Sequence, residues 1–277
     1  MIDLLQQLLL EPLSHDFMRR AMLAAISIAL VCSIFSCFLV LKGWSLMGDA
    51  VSHSVLPGLA IAYVVQIPLA IGAFIAGLFC AFLTGFLKEN SRIKEDAVMG
   101  IVFSGMFAFG LVLLTKIETD VHLLHVLFGN ILGISTQDFL ESGAIAIICS
   151  LIMLIKRKDM FLYCFDPAHA NVLGLPVRLL HFSLLVLLAL TIVSALKVAG
   201  IILVIAMLIA PGAISFLLSK SFDTMLLIAV SVSVFSCFMG TILSFHFDTA
   251  TAPLIVVIQS LFFLWALFQT TRASSKR

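Results

Sequence analysis

The sequence predicts an all-α, polytopic integral membrane protein with about eight transmembrane helices, forming a single transmembrane domain over residues 1–277. Three observations carry that prediction. Hydrophobic residues make up 62% of the chain and charged ones only 11%, with a mean hydropathy of +1.21, well outside the range of a soluble globular domain. The charges are separated by uncharged runs close to the roughly 20 residues needed to cross a bilayer. Basic residues recur in alternate connections, the pattern that marks cytoplasmic loops.

Taken in order, the first 16 residues contain Asp3, Glu11 and Asp16 but neither Lys nor Arg. They lack the basic start of a cleaved signal, so the first span is expected to stay as an anchor. Between Arg20 and Lys42 lie 21 uncharged residues. The next uncharged stretch, 54–87, has 34 residues and is interrupted by Pro57 and Pro68, too short for two helices of about 20 each. One full span plus a broken or re-entrant segment near 43–68 is expected. In that eight-span arrangement Arg19 and Arg20 lie inside and 43–53 lies toward the outer half of the membrane; a nine-span arrangement puts the N-terminus outside. Further spans are expected over 97–115, 142–155, 182–196, 198–219, 224–245 and 249–271. The loops with Lys88, Arg92 and Lys94, with Lys156, Arg157, Lys158 and Arg178, with Lys220, and the tail with Arg272, Lys276 and Arg277 then share the cytoplasmic side. The opposite connections beyond residue 100 carry only Lys116 and Lys197.

A net charge of +1 gives no electrostatic footprint for nucleic acid. The six cysteines form no C-x-x-C pair and mostly sit in apolar runs, as small packing residues do. No G-x-x-x-x-G-K-[ST] phosphate loop and no H-E-x-x-H motif occurs in the sequence, so any ATP must be hydrolysed by another chain.

Irregular backbone at membrane depth is tolerated only where it is buried in protein or lines a watery cavity, which makes 42–57 a candidate pathway wall. Within it Asp49 and His53 stand four apart, on one face if the piece is helical. A carboxylate and an imidazole so placed can share a metal ion, and that donor set suits manganese, iron or zinc. The plainer reading is a structural Asp–His hydrogen bond; ionisable groups inside membrane segments are usually functional. Glu118, Asp120, His122 and His125 are outer-loop candidates for metal or binding-protein contact, against a default of a solvated turn. Asp138 and Glu141 add to an acidic outer face, and His246 and Asp248 are weaker outer candidates. His169 and His181 read as cytoplasmic surface or interface residues. On the cytoplasmic side, Asp166, Pro167 and Gly174 have the makings of a short capped helix, with Val172 and Leu173 available for docking. Pro211-Gly212 within 204–213 marks a kink whose freed backbone groups neighbours would satisfy.

The run from Leu41 to Gly58, the Glu95-Asp96-Ala97-Val98-Met99-Gly100-Ile101 and Phe128-Gly129-Asn130-Ile131-Leu132-Gly133-Ile134 segments, and 166–174 and 204–213 together resemble the ABC-3 family of metal permeases. The likeness covers roughly 11–270, and the first block is similar to the manganese and chelated-iron branch, as in the Yfe and Sit systems, rather than to the zinc branch. The resemblance implies an inner-membrane, multi-pass transport subunit with no catalytic residue and no resident cofactor, the divalent metal being its substrate. It implies metal ligands at Asp49 and His53 and an ATPase-coupling helix with Asp166, Ala170 and Gly174. The implied partners are a separate ATPase, an outer metal-binding protein, membrane lipid, and a second permease, either the same chain or a sister. A competing class is an ion-coupled secondary metal transporter using Asp49 and His53 as a proton relay, distinguished by whether transport needs an ATPase. An intramembrane protease would need a second deep aspartate beside Asp49.

Overall fold

The computed structural model describes residues 14–117 and 133–274, and all regular structure among them is helical. The helices are α1 (Asp16–Lys42), α2 (Met47–Ser54), α3 (Leu56–Val65), α4 (Leu69–Glu89), α5 (Glu95–Leu114), α6 (Thr136–Ile155), α7 (Arg157–Phe165), α8 (Pro167–Val172), α9 (Val177–Leu218), α10 (Phe222–Phe247) and α11 (Thr251–Ser274). Eight helical stretches, with α2 and α3 counted as one, are long and apolar enough to cross a membrane.

The bundle is built around α1. Of its most apolar window 72% is buried, against 22% for α5, α6 and α11. Its buried positions are dominated by Ala21, Ala24, Ala25, Ala29, Cys32, Ser33, Ser36 and Cys37, the small residues that let helix backbones approach where lipid offers no hydrophobic drive. Around it pack α9, α10, α6 and α7. All six cysteines are free and buried, consistent with packing duty.

Contacts fix which ends lie together. At one end Lys42 Nζ sits 4.1 Å over the Tyr163 ring, Trp44 meets His181 at 5.5 Å, Phe38 meets Phe222 and Arg157 pairs with Asp223 at 3.3 Å. At the other, Arg20 Nη1 donates to Thr136 Oγ1 at 2.9 Å, His15 lies against Phe245, and Lys197 pairs with Asp138 and Glu141. The first end gathers Lys42, Lys88, Arg92, Lys94, Lys156, Arg157, Lys158, Arg178, Lys220 and Arg272, leaving only Arg19, Arg20, Lys116 and Lys197 among described residues at the second. The first is therefore cytoplasmic.

Helix α9, with 42 residues, would extend about 63 Å if straight, twice the hydrocarbon core. It instead runs from His181 at the inner end to Lys197 at the outer end, and back to Ser215, whose hydroxyl lies 3.9 Å from Cys37 near the inner end of α1. The reversal occurs at Gly200, with φ 74° and ψ 169°, a conformation open almost only to glycine. With α9 contributing two crossings, the described chain crosses nine times.

Of the two arrangements the sequence leaves open, these contacts fit the nine-span one, with the N-terminus outside. Arg19 and Arg20 lie at the outer end, and 43–53 enters from the cytoplasmic side. The expected interruption is present, between α2 and α3 at Val55, but the interrupted piece completes a crossing because it begins at Met47 rather than Ser54. The return is tight: a Cβ on Gly58 would lie 2.1 Å from the Gly72 carbonyl oxygen, so α3 and α4 meet backbone to backbone.

Candidate transport site

Helix α2 holds Asp49 and His53 on one face while Met47, Gly48, Ala50, Val51, Ser52 and Ser54 are buried. Gly48 lies against Leu208 and Val51 against Gly77, which fixes the helix between α9 and α4. Leu208 is partway along the returning arm of α9, so the pair lies within the membrane's depth. Asp49 Oδ1 and His53 Nε2 are 3.2 Å apart, and their side chains remain 28% and 30% exposed. The imidazole is bracketed by Phe107 at 5.3 Å and Phe103 at 6.0 Å, which limits its swing and leaves one open side. Ser52 and Ser54 donate to the Gly48 and Val51 carbonyls, so these hydroxyls are engaged by their own helix. Among the described residues no three His, Cys, Asp or Glu side chains converge closely enough to hold a metal ion. The chain thus presents a carboxylate and an imidazole on a face that it does not itself cover.

The cytoplasmic segment forms as expected. Asp166 accepts from the His169 N–H at 2.9 Å, Pro167 occupies the first turn of α8, and Gly174 at φ 77° lets the Leu175 N–H return to the Ala170 carbonyl. Ala170 is fully buried and anchors α8 to the rest of the chain. The outward face belongs to Val172, 82% exposed, and to Leu173 and Phe165.

The profile of the ABC 3 transport family matches residues 14–270. The chain belongs to this family. It is 61% identical, over 96% of its length and 90% of the relative's, to the chelated iron transport system membrane protein YfeD of Yersinia pestis. It is 52% identical over 94% of its length to the manganese transport system membrane protein MntB of Synechocystis, covering 85% of that protein. The solved structure of PsaBC from Streptococcus pneumoniae in complex with Fab contains a chain that superposes with a TM-score of 0.84 at 33% identity, covering 95% of each. The chain is a multi-pass membrane permease subunit of an ABC transporter.

The outer face of this ABC 3 permease is less open than its acidic residues suggest. Lys197 Nζ lies 3.4 Å from Asp138 and 3.3 Å from Glu141, and Asp138 also caps α6 with Ser135. Both carboxylates are compensated within the chain rather than left for a basic partner. Glu118, Asp120, His122 and His125 lie outside the described residues. Asp248 ends α10 in a left-handed conformation.

His181, which the sequence places as a cytoplasmic surface or interface residue, joins three elements at the inner end. Its Nδ1 lies 2.7 Å from the Tyr163 hydroxyl of α7, and its ring edge meets Trp44, just ahead of α2. Burial pushes the Tyr163 hydroxyl above its ordinary pKa, so it keeps its proton in this contact. Burial likewise pushes the neighbouring Cys164 thiol up to about 12. A chain of contacts therefore runs from the segment before α8 to the one before the Asp49–His53 helix. Its only sequence signal is the aromatic and basic residues near span ends.

Proposed function

We propose that this permease carries manganese or ferrous iron across the cell inner membrane, with Asp49 and His53 as transit ligands. A second permease chain would complete the pore, a separate ATPase would dock on α8, and an outer protein would deliver the metal. The observation that carries the reading is the Asp49–His53 pair itself, ionisable and part-exposed at membrane depth, with its ring held by Phe103 and Phe107. In lipid such a face is costly; against a twofold-related copy it becomes a four-ligand site of carboxylate and imidazole, a donor set suited to these ions. Water or a backbone carbonyl would fill the remaining positions. A shell with few protein ligands binds weakly enough to release its ion, as conduction requires. The iron and manganese named for the relatives support the choice of cargo.

The test is radioactive manganese and iron uptake in cells lacking other importers. Asp49→Ala and His53→Ala are each expected to reduce uptake to the level of cells without the transporter, with membrane insertion and ATPase assembly intact. Near-normal uptake by Asp49→Ala would make the pair structural, and uptake without any ATPase would favour the ion-coupled class. For the docking face, single cysteines at Val172 and Leu173 are expected to cross-link to the ATPase, whereas one at buried Ala170 is not. Labelling of Val172→Cys by an impermeant reagent from outside would overturn both the docking role and the topology.

A further inference from the structure

At the cytoplasmic end a groove of about 990 Å³ lies between α4 and the start of α9, closed on one side by α7 and α8. Its walls are apolar, with Phe82 and Phe86 of α4 facing Phe182 and Leu185 of α9, and Phe82 stacks on Phe182 at 5.1 Å. Phe86 is nonetheless 63% exposed and Phe82 46%. The rim differs in kind. Arg178, Asn171 and the hydrogen-bonded Tyr163–His181 pair line it, with the Lys42 ammonium over the Tyr163 ring. No carboxylate lines the groove among the described residues. Neither Arg178 nor Lys42 makes an ion pair among them.

We propose that this groove binds one anionic phospholipid of the cytoplasmic leaflet, its phosphate against Arg178 and the Tyr163–His181 pair and an acyl chain along Phe82, Phe86 and Phe182. The argument is one of complementarity at a defined depth. Anionic headgroups concentrate at the cytoplasmic leaflet, and basic pockets between transmembrane helices on that side bind them. A soluble anion would satisfy the rim but leave the phenylalanines uncovered, and a neutral lipid would cover the phenylalanines but leave Arg178 unmatched. An anionic lipid satisfies both. Because Pro167, Ala168 and Asn171 form part of the same groove, a bound lipid braces the helix that faces the ATPase.

The test uses the permease assembled with its ATPase in nanodiscs of phosphatidylcholine, with and without phosphatidylglycerol, followed by native mass spectrometry. The expected result is a phosphatidylglycerol adduct at one per permease chain, with no comparable phosphatidylcholine adduct. Arg178→Gln should lower its retention about fivefold, the effect of one basic residue near the membrane surface, and Arg178→Glu should lower it further. Arg92→Glu, basic on the same side but outside the groove, should leave it unchanged. A photo-reactive residue replacing Phe86 should label lipid. Retention indifferent to Arg178, or a Phe86 cross-link to the ATPase or a second permease in place of lipid, overturns the proposal.

Discussion

At Pro211 the returning arm of α9 has no N–H to offer the Met207 carbonyl four residues back, and α1 bonds to the backbone on either side of the proline. Ser36 Oγ donates to the Ile209 carbonyl at 3.2 Å and accepts from the Gly212 N–H at 2.8 Å, with Ser36 fully buried. Where α2 gives way to α3, Pro57 has no N–H to offer the His53 carbonyl four residues back, which accepts from the Val55 N–H instead. There the nearby polar side chains, Asp49 and His53, have each other and an open side. Two proline interruptions at similar depth thus differ in how they are finished. The first is tied to a neighbouring helix through Ser36; the second is finished within its own segment and carries the Asp49–His53 pair with an open side.

That contrast is most readily broken at Gly212. A Cβ there would lie 2.5 Å from the Ser36 carbonyl oxygen, so Gly212→Val must drive α1 and α9 apart at the centre of the bundle. Overpacking of this kind costs about 3 kcal/mol, and the expected outcome is loss of folded protein from the membrane fraction, measured by detergent-extracted yield. Full yield with normal uptake would mean that α1 and α9 do not meet as closely as the Ser36 contacts require.

How much was legible beforehand follows the same division. The local features could be read directly: the cap at Asp166, the turn at Gly174 and the four-residue spacing of Asp49 and His53 all lie within a few residues of one another. The depth of α2 could not, because Asp49 and His53 themselves lower the hydropathy of Met47–Val65 to 1.2, the weakest of the eight spans. The polar groups that make the site disguised the crossing that carries it, and with that crossing went the side assigned to Arg19 and Arg20. The pairing of Asp138 and Glu141 with Lys197 was hidden for another reason: it joins residues 56 and 59 positions apart, a separation at which spacing carries no information. That Ala170 faces inward is not legible either, because a six-residue helix is too short for its buried face to show as a periodicity.

A smaller effect sharpens the comparison from the same helix pair. Ser36→Ala removes both hydrogen bonds at the α9 kink without adding bulk. Leaving a buried backbone group unsatisfied costs about 1–3 kcal/mol, so the variant should melt at lower temperature while its uptake per folded molecule stays near normal. Uptake lost in proportion to nothing but Ser36, with thermal stability unchanged, would move the kink from the packing side of the comparison to the transport side.

The smallest expected effect on stability is at the site itself. Asp49 and His53 are about a third exposed and paired at 3.2 Å, and ion pairs that retain such access contribute about 0–1 kcal/mol. Asp49→Asn and His53→Gln, which keep the shape of the side chains, should therefore shift the melting temperature of the assembled transporter by no more than a few degrees. The double variant should depart from the sum of the singles by no more than about 1 kcal/mol, the coupling of one part-exposed pair. The same variants should lose uptake, since Asn removes the charge that offsets a metal ion's own and Gln removes the imidazole nitrogen that favours transition metals over magnesium and calcium. Added manganese should raise the melting temperature of the unaltered transporter, because an ion that binds the folded state stabilises it by mass action, and leave that of the double variant unmoved. A large loss of stability on Asp49→Asn, with the same response to manganese as before, would place the pair with Ser36 among the groups that close a helix break rather than pass an ion.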